Sequence, residues 1–206
     1  MHRRIETRGI LFVPDAPPRA LVCFLHGVGE SADGAGHTSD RLQLLLRHGS
    51  PAALADAGSP LVAGCLVLCP QLPERRHWLP ADAEWIDLLV GDALREHGAP
   101  AGALLLTGFS RGGEGIFQVA SASRYRWSAL WAVDPALQPG TPPPPSGARV
   151  LVHHGIEQPG AEHRPAFAAR VAQAGGGVIA LAADHVQTCR QAYSDAGAWA
   201  RLLGPP

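Results

Sequence analysis

No stretch of this chain approaches the roughly 18 consecutive apolar residues that a membrane-spanning helix needs, so nothing in it reads as a span. An excess of one charge sign is missing too, with a formal net charge of −1. No basic stripe runs along the chain, which argues against nucleic acid as a partner. Cysteine is scarce, at four in 206 residues. Cys23, Cys65 and Cys69 lie in or beside apolar runs, where a thiol packs as a small hydrophobe. A zinc site would want closely spaced Cys and His pairs in turns. The four cysteines, Cys189 included, are therefore expected to be reduced and buried, with no metal. The N-terminus, Met1-His2-Arg3-Arg4-Ile5-Glu6, has positive charges with no apolar stretch behind them. It is not read as a signal peptide, and a cytoplasmic location is the expectation. Internal repeats are absent.

What remains is an ordinary globular balance, 46% hydrophobic and 17% charged. A chain of this length should bury about 70% of its unfolded surface. One domain over residues 1–206 is expected. Short apolar runs punctuate it: Ile10 to Val13, Ala20 to Leu25, Leu61 to Leu68, Ala103 to Leu106, Ala129 to Val133, Arg149 to Val152 and Gly177 to Leu181. Unbroken runs, as opposed to alternating ones, suit strands buried on both faces of a parallel sheet. Helical spacing separates them, over residues 84–96, through Ile116, Val119 and Ala120, over Pro165 to Ala174, and over Trp199 to Leu203. Strands alternating with helices predict an α/β fold with a mostly parallel central sheet and helices on both faces. Pro142 to Pro145 reads as a stiff surface connector.

The chemistry concentrates at Leu104-Leu105-Leu106-Thr107-Gly108-Phe109-Ser110-Arg111-Gly112-Gly113. The string G-x-S-x-G follows an apolar strand and precedes a helical pattern, which is the setting of a nucleophile elbow. Glycines two residues either side of Ser110 let neighbouring backbone pack without a Cβ clash. Ser110 would stand at a helix N-terminus, whose dipole favours developing negative charge. The amide of Arg111 then offers one oxyanion donor. The second should come from the turn after Ala20 to Leu25, in His26-Gly27-Val28-Gly29-Glu30. Val28 N–H is the first choice and Gly29 the reserve, with Gly27 and Gly29 freeing the backbone beside the substrate. His26 is expected to brace that turn by hydrogen bonds. Among ten histidines, His185 suits the base, because it follows the last strand and the usual order is Ser, acid, His.

The strings Leu25-His26-Gly27-Val28-Gly29-Glu30, Arg47-His48-Gly49-Ser50-Pro51, Cys69-Pro70-Gln71, Gly108 to Gly113, and His185-Val186 through Ala192-Tyr193-Ser194-Asp195 to Trp199 and Leu202-Leu203 occur in this order. Together they resemble the α/β-hydrolase superfamily, in the predicted esterase and peptidase branch of its phospholipase/carboxylesterase and dienelactone-hydrolase-like group. Gly-Phe-Ser-x-Gly-Gly is also similar to acyl-protein thioesterases. The resemblance runs from about residue 20 to 203. It implies an aspartate three residues after Gly155, and Gln158 stands there instead. Glu157, one residue earlier, is the first choice for the acid of the triad. Asp134, after the preceding strand, is the alternative.

These readings imply an acyl-enzyme on Ser110 and hydrolysis of a small-molecule carboxylic ester, with no cofactor. The rivals are a peptidase or thioesterase with the same triad, and a non-catalytic binding protein on the hydrolase fold. The connection between Val133 and Arg149 is too short for a packed helical cap, since even an isolated helix wants about 12 residues. No cap domain is expected. Walls around Ser110 should come from Glu30 to Asp40 and from Pro73 to Asp82, where Trp78 is read as lining an acyl pocket or covering the sheet. Oligomeric state stays open, a homodimer included.

Overall fold

The apolar runs become strands in the computed structural model, which describes residues 1–34, 36–100, 102–157 and 164–204. The strands are β1 (His2–Glu6), β2 (Gly9–Val13), β3 (Ala20–Leu25), β4 (Cys65–Pro70), β5 (Leu104–Phe109), β6 (Ala129–Val133), β7 (Arg149–Gly155) and β8 (Gly177–Leu181). They form one sheet in the order β1-β2-β4-β3-β5-β6-β7-β8. β2 runs antiparallel to both β1 and β4, and the pairings from β4 through β3, β5, β6 and β7 to β8 are parallel.

Helices cover both faces. The helices are α1 (Ser39–Leu42), α2 (Pro51–Asp56), α3 (Asp82–His97), α4 (Arg111–Ala122), α5 (Arg164–Gln173), α6 (His185–Ser194) and α7 (Ala196–Leu203). On one face, Ile86 and Val90 of α3, Ile116 and Phe117 of α4, and Phe167 of α5 share one buried cluster with Leu21, Cys23 and Leu25. On the other, Ala52 of α2, Cys189 and Tyr193 of α6, and Trp199 of α7 share a second cluster with Val22 and Phe24. Alternate residues of β3 thus meet different layers, which is why its apolar run is unbroken. All four cysteines are free and buried.

The sequence and the fold part company in places with local causes. Leu61 begins no strand, because Pro60–Val62 is a 3₁₀ turn capped by Ser59, and Gly64 turns the chain at φ +70° before β4. β1 goes unanticipated because it is an edge strand with a polar, mostly exposed sequence. α2 is short but well signalled, with Pro51 at its first position and the Ser50 hydroxyl accepting from Ala53 N at 3.2 Å. α6 begins at His185 itself, opened by a capping box between Asp184 and Gln187. Residues 134–148 contain neither helix nor strand, so no cap domain stands between β6 and β7. Gln158 lies outside the described residues. No helix among the described residues is long and apolar enough to cross a membrane.

Candidate active site

β5 ends at Phe109 and α4 begins at Arg111, so Ser110 alone makes the strand-to-helix turn. Its φ is +58° and ψ −118°, a conformation strained for a residue with a side chain. Three hydrogen bonds hold it there. Ser110 N donates to Val133 O at 3.0 Å, while its carbonyl accepts from Ala136 N at 2.9 Å and Glu114 N at 3.2 Å. The flanking glycines are required by contact. A β-carbon on Gly108 would lie 2.2 Å from Gly112 O, and one on Gly112 would lie 1.9 Å from Leu25 O. The tightness of this turn is what makes G-x-S-x-G readable in the sequence.

His185 is the first residue of α6, and its side chain is partly exposed. Its Nδ1 lies 2.5 Å from Asp134 Oδ2. With Nδ1–H donating to that carboxylate, the neutral ring carries its lone pair on Nε2. Asp134 follows β6 at φ +42° and is buried. Its N–H donates to His153 O at 2.8 Å, and its Oδ1 accepts from Gly155 N at 3.0 Å. The acid against His185 is therefore Asp134, where the sequence had favoured Glu157. Glu157 follows β7 with an exposed side chain. The reason is that β7 carries its own last amide, at Gly155, into the Asp134 carboxylate, while Ile156 and Glu157 turn their N–H groups to Leu181 O and Ala183 O.

The Gly27–Val28 turn lies against Ser110. A β-carbon on Gly27 would come within 3.3 Å of Ser110 Cβ. Val28 and Arg111 are the first residues of the 3₁₀ turn Val28–Glu30 and of α4, so neither amide has an acceptor within its own helix. Gly29 is exposed, with open space on its Cβ side. The turn is braced from below. Leu72 N–H donates to His26 Nε2 at 2.9 Å, so the ring proton sits on Nδ1 and is donated to Gly27 O at 2.5 Å. Burial pushes the His26 imidazole down to about 4. Gln71 Nε2 donates to Glu30 O at 2.8 Å and to Arg41 O at 2.7 Å. Trp78 Nε1 donates to His26 O at 3.0 Å.

That last bond fixes the role of Trp78. The side chain is 1% exposed and packs between His26 and Trp85, so it braces the His26–Val28 turn from within the fold. Gly115 is what admits the ring, since a β-carbon there would lie 2.5 Å from Trp78 Cβ. The rest of the Pro73 to Asp82 segment is clamped by Arg76, whose two terminal nitrogens each reach an Asp82 oxygen at 2.7 Å. Two groups escaped the sequence reading, Gln71 as a brace and Glu30 with His48. Both lie in the strings already quoted, yet nothing in their spacing showed what they touch. Among the described residues no group of three or more His, Cys, Asp or Glu side chains is placed to hold a metal ion.

No protein-family model and no curated protein matches the sequence. Solved structures match the fold. A thermostable esterase superposes with a TM-score of 0.64 at 20% identity, covering 92% of this chain, which spans 56% of that protein's length. An S-formylglutathione hydrolase from Agrobacterium tumefaciens gives 0.62 at 14% identity, covering 98% of this chain and 99% of its own. The esterase PE8 gives 0.58 at 17% identity, covering 92% and 97%. The strand order, the helices on both faces and these likenesses make this an α/β-hydrolase fold.

Proposed function

We propose that this α/β-hydrolase-fold chain is a serine hydrolase that cleaves carboxylic esters through an acyl-enzyme on Ser110. The observation that carries this reading is the 2.5 Å contact between His185 Nδ1 and Asp134 Oδ2, at the sheet edge where Ser110 makes its strained turn. His185 Nε2 takes the Ser110 Oγ proton as Oγ attacks the ester carbonyl. The amides of Val28 and Arg111 donate to the oxyanion that forms. His185 returns the proton to the alkoxide, which leaves as the alcohol. A water then gives its proton to His185 and attacks the acyl carbon, and Ser110 leaves with that proton as the acid departs. Asp134 keeps the imidazole in the tautomer that can accept, and stabilises the imidazolium. Esterase-named structural neighbours support the reaction class.

With no cap between β6 and β7, the substrate is a soluble ester that reaches Ser110 from solvent, and turnover shows no jump at the micelle threshold. The test is a fluorophosphonate probe together with p-nitrophenyl esters of increasing chain length. Wild type takes the probe and turns over the short esters, while Ser110→Ala loses the label and on the order of 10³ to 10⁶ of kcat. Near-normal turnover by that variant overturns the reading. An unlabelled wild type would make the chain a binding protein on this fold.

A further inference from the structure

Three features beyond Ser110, His185 and Asp134 meet at one place. The first is the Glu30 carboxyl. Its side chain is 7% exposed, and Oε2 has no hydrogen-bond partner among the described residues. The second is where Oε2 points. It lies 3.0 Å from the position of a β-carbon on Gly27, and Ser110 Cβ lies 3.3 Å from that same position. One glycine separates an unpartnered carboxyl oxygen from the nucleophile. The third is His48, whose Nε2 stands 3.2 Å from Glu30 Oε1. Its φ is +61°, in the region that favours glycine, so the surrounding packing holds a histidine in strained backbone. The His48 ring faces Phe109 at 6.0 Å between centroids, and Phe109 packs on His185 at 4.3 Å.

We propose that Glu30 and His48 are a second functional pair of the Ser110 site, in which Glu30 positions the Gly27–Val28 turn and a proton shared with His48 keeps net negative charge away from the oxyanion. The inference rests on the acyl-enzyme reading. Glu30 ends the 3₁₀ turn that begins with the Val28 amide, so its carboxyl and the oxyanion share one short segment. Burial pushes that carboxyl above the usual carboxylate range, against the opposing pull of His48 and Arg47. The groups facing it are few. His48 and Arg47 come from the segment before α2, and Cys189 comes from α6, followed there by Arg190 against Gly49. Burial also keeps the Cys189 thiol neutral by pushing it up. β5 contributes Phe109 and Ser110, which bring no charge, and His185 and Asp134 lie beyond the Phe109 ring.

While one proton remains between Glu30 and His48, the pair is neutral. Its loss leaves a negative charge beside a site that must develop one, which slows acylation by about tenfold. The sign follows. Protons leave as pH rises, so the pair governs the alkaline limb of kcat/KM. His185 itself must be neutral to accept a proton. Glu30 is a positioning residue, and a purely structural role would not move that alkaline limb.

The test is the pH profile of kcat/KM for p-nitrophenyl acetate in wild type, Glu30→Gln, His48→Asn and the double variant. Asparagine tolerates left-handed backbone, so His48→Asn keeps the turn. Glu30→Gln loses the alkaline limb and is about tenfold faster than wild type at high pH. His48→Asn moves the limb to lower pH, because Glu30 then titrates without its partner. The double variant follows Glu30→Gln. A limb unchanged in Glu30→Gln, or shifted the same way in both single variants, overturns the proposal. Should Glu30→Gln fail to fold, the His48→Asn shift decides alone. A ¹³C titration of the Glu30 carboxyl in wild type needs no turnover and is expected above the ordinary carboxylate range. An ordinary midpoint there overturns the pair, while absent turnover with a raised midpoint overturns only the esterase reading.

Discussion

Asp134 and Glu157 end neighbouring parallel strands, and both present a carboxylate on the carboxyl edge of the sheet. Only the first is built into the protein. Asp134 is buried, and its N–H, Oδ1 and Oδ2 engage His153, Gly155 and His185. Glu157 is exposed, and its backbone N–H reaches Ala183 O at 3.4 Å. The difference teaches that a strand-end acid is chosen by what the next strand donates to it. The last amide of β7 seats the carboxylate of β6, and the chain after β7 is then already committed.

The sharpest way to break this comparison is Asp134→Asn. The amide would keep the shape but lose the charge that stabilises an imidazolium and the acceptor that selects the Nε2 lone pair. On the proposed mechanism kcat/KM for p-nitrophenyl acetate falls by about 10³ to 10⁴. Activity within a few-fold of wild type would remove Asp134 from the mechanism.

Acid should loosen the same seat from below. His153 of β7 supplies the carbonyl that binds Asp134 N, and its Nδ1 accepts from Trp131 Nε1 at 2.9 Å. Burial pushes its imidazole down to about 4 from an ordinary 6.5. Between those values the unfolded chain binds more protons than the folded one. Stability is therefore full above about 6.5 and is lost as pH falls toward 4. His26, lowered to about 4 by the same cause, adds a loss of the same sign. Each contributes up to about 3 kcal/mol. Urea unfolding across this window should show the decline, and a flat profile would mean that these rings are not held neutral.

Gly155→Ala probes the donor side of the seat. A β-carbon there would lie 2.5 Å from both Ala183 O and Thr188 Oγ1. The end of β7 must shift, taking with it the N–H that holds Asp134 Oδ1. A stability loss of about 2 kcal/mol is expected, with kcat falling by more than KM rises. Wild-type kinetics and stability in this variant would show that the seat is not tight.

How much of this was legible follows from range. The elbow at Ser110 is local, because Gly108 and Gly112 are needed by contacts within five residues and with one neighbouring strand, and such needs leave a string. The parallel strands were legible because burial on both faces gives unbroken apolar runs, as in β3. The place of His185 after the last strand was legible from chain order. Which carboxylate meets that ring was not, because the choice between Asp134 and Glu157 depends on how β6 and β7 end relative to one another, which no string records. Trp78 misled for the same reason: its indole reads as apolar lining, and only the fold brings Nε1 to His26 O. Glu30, His48 and Gln71 stood in strings that carried a resemblance, without spacing that told what they touch.

The smallest effect belongs to Glu157→Gln, and it completes the comparison. The side chain is exposed, so a charge there is screened by water and ions and acts weakly on a partly exposed His185. His185 already has its Nδ1 proton on Asp134, and a neutral imidazole has one such proton to give. A second carboxylate would have to displace a buried one that holds the Gly155 amide as well. Glu157→Gln should therefore leave kcat/KM within about twofold of wild type, beside the large loss for Asp134→Asn. A large loss in Glu157→Gln, with Asp134→Asn active, would invert the two strand ends and place the working acid after β7.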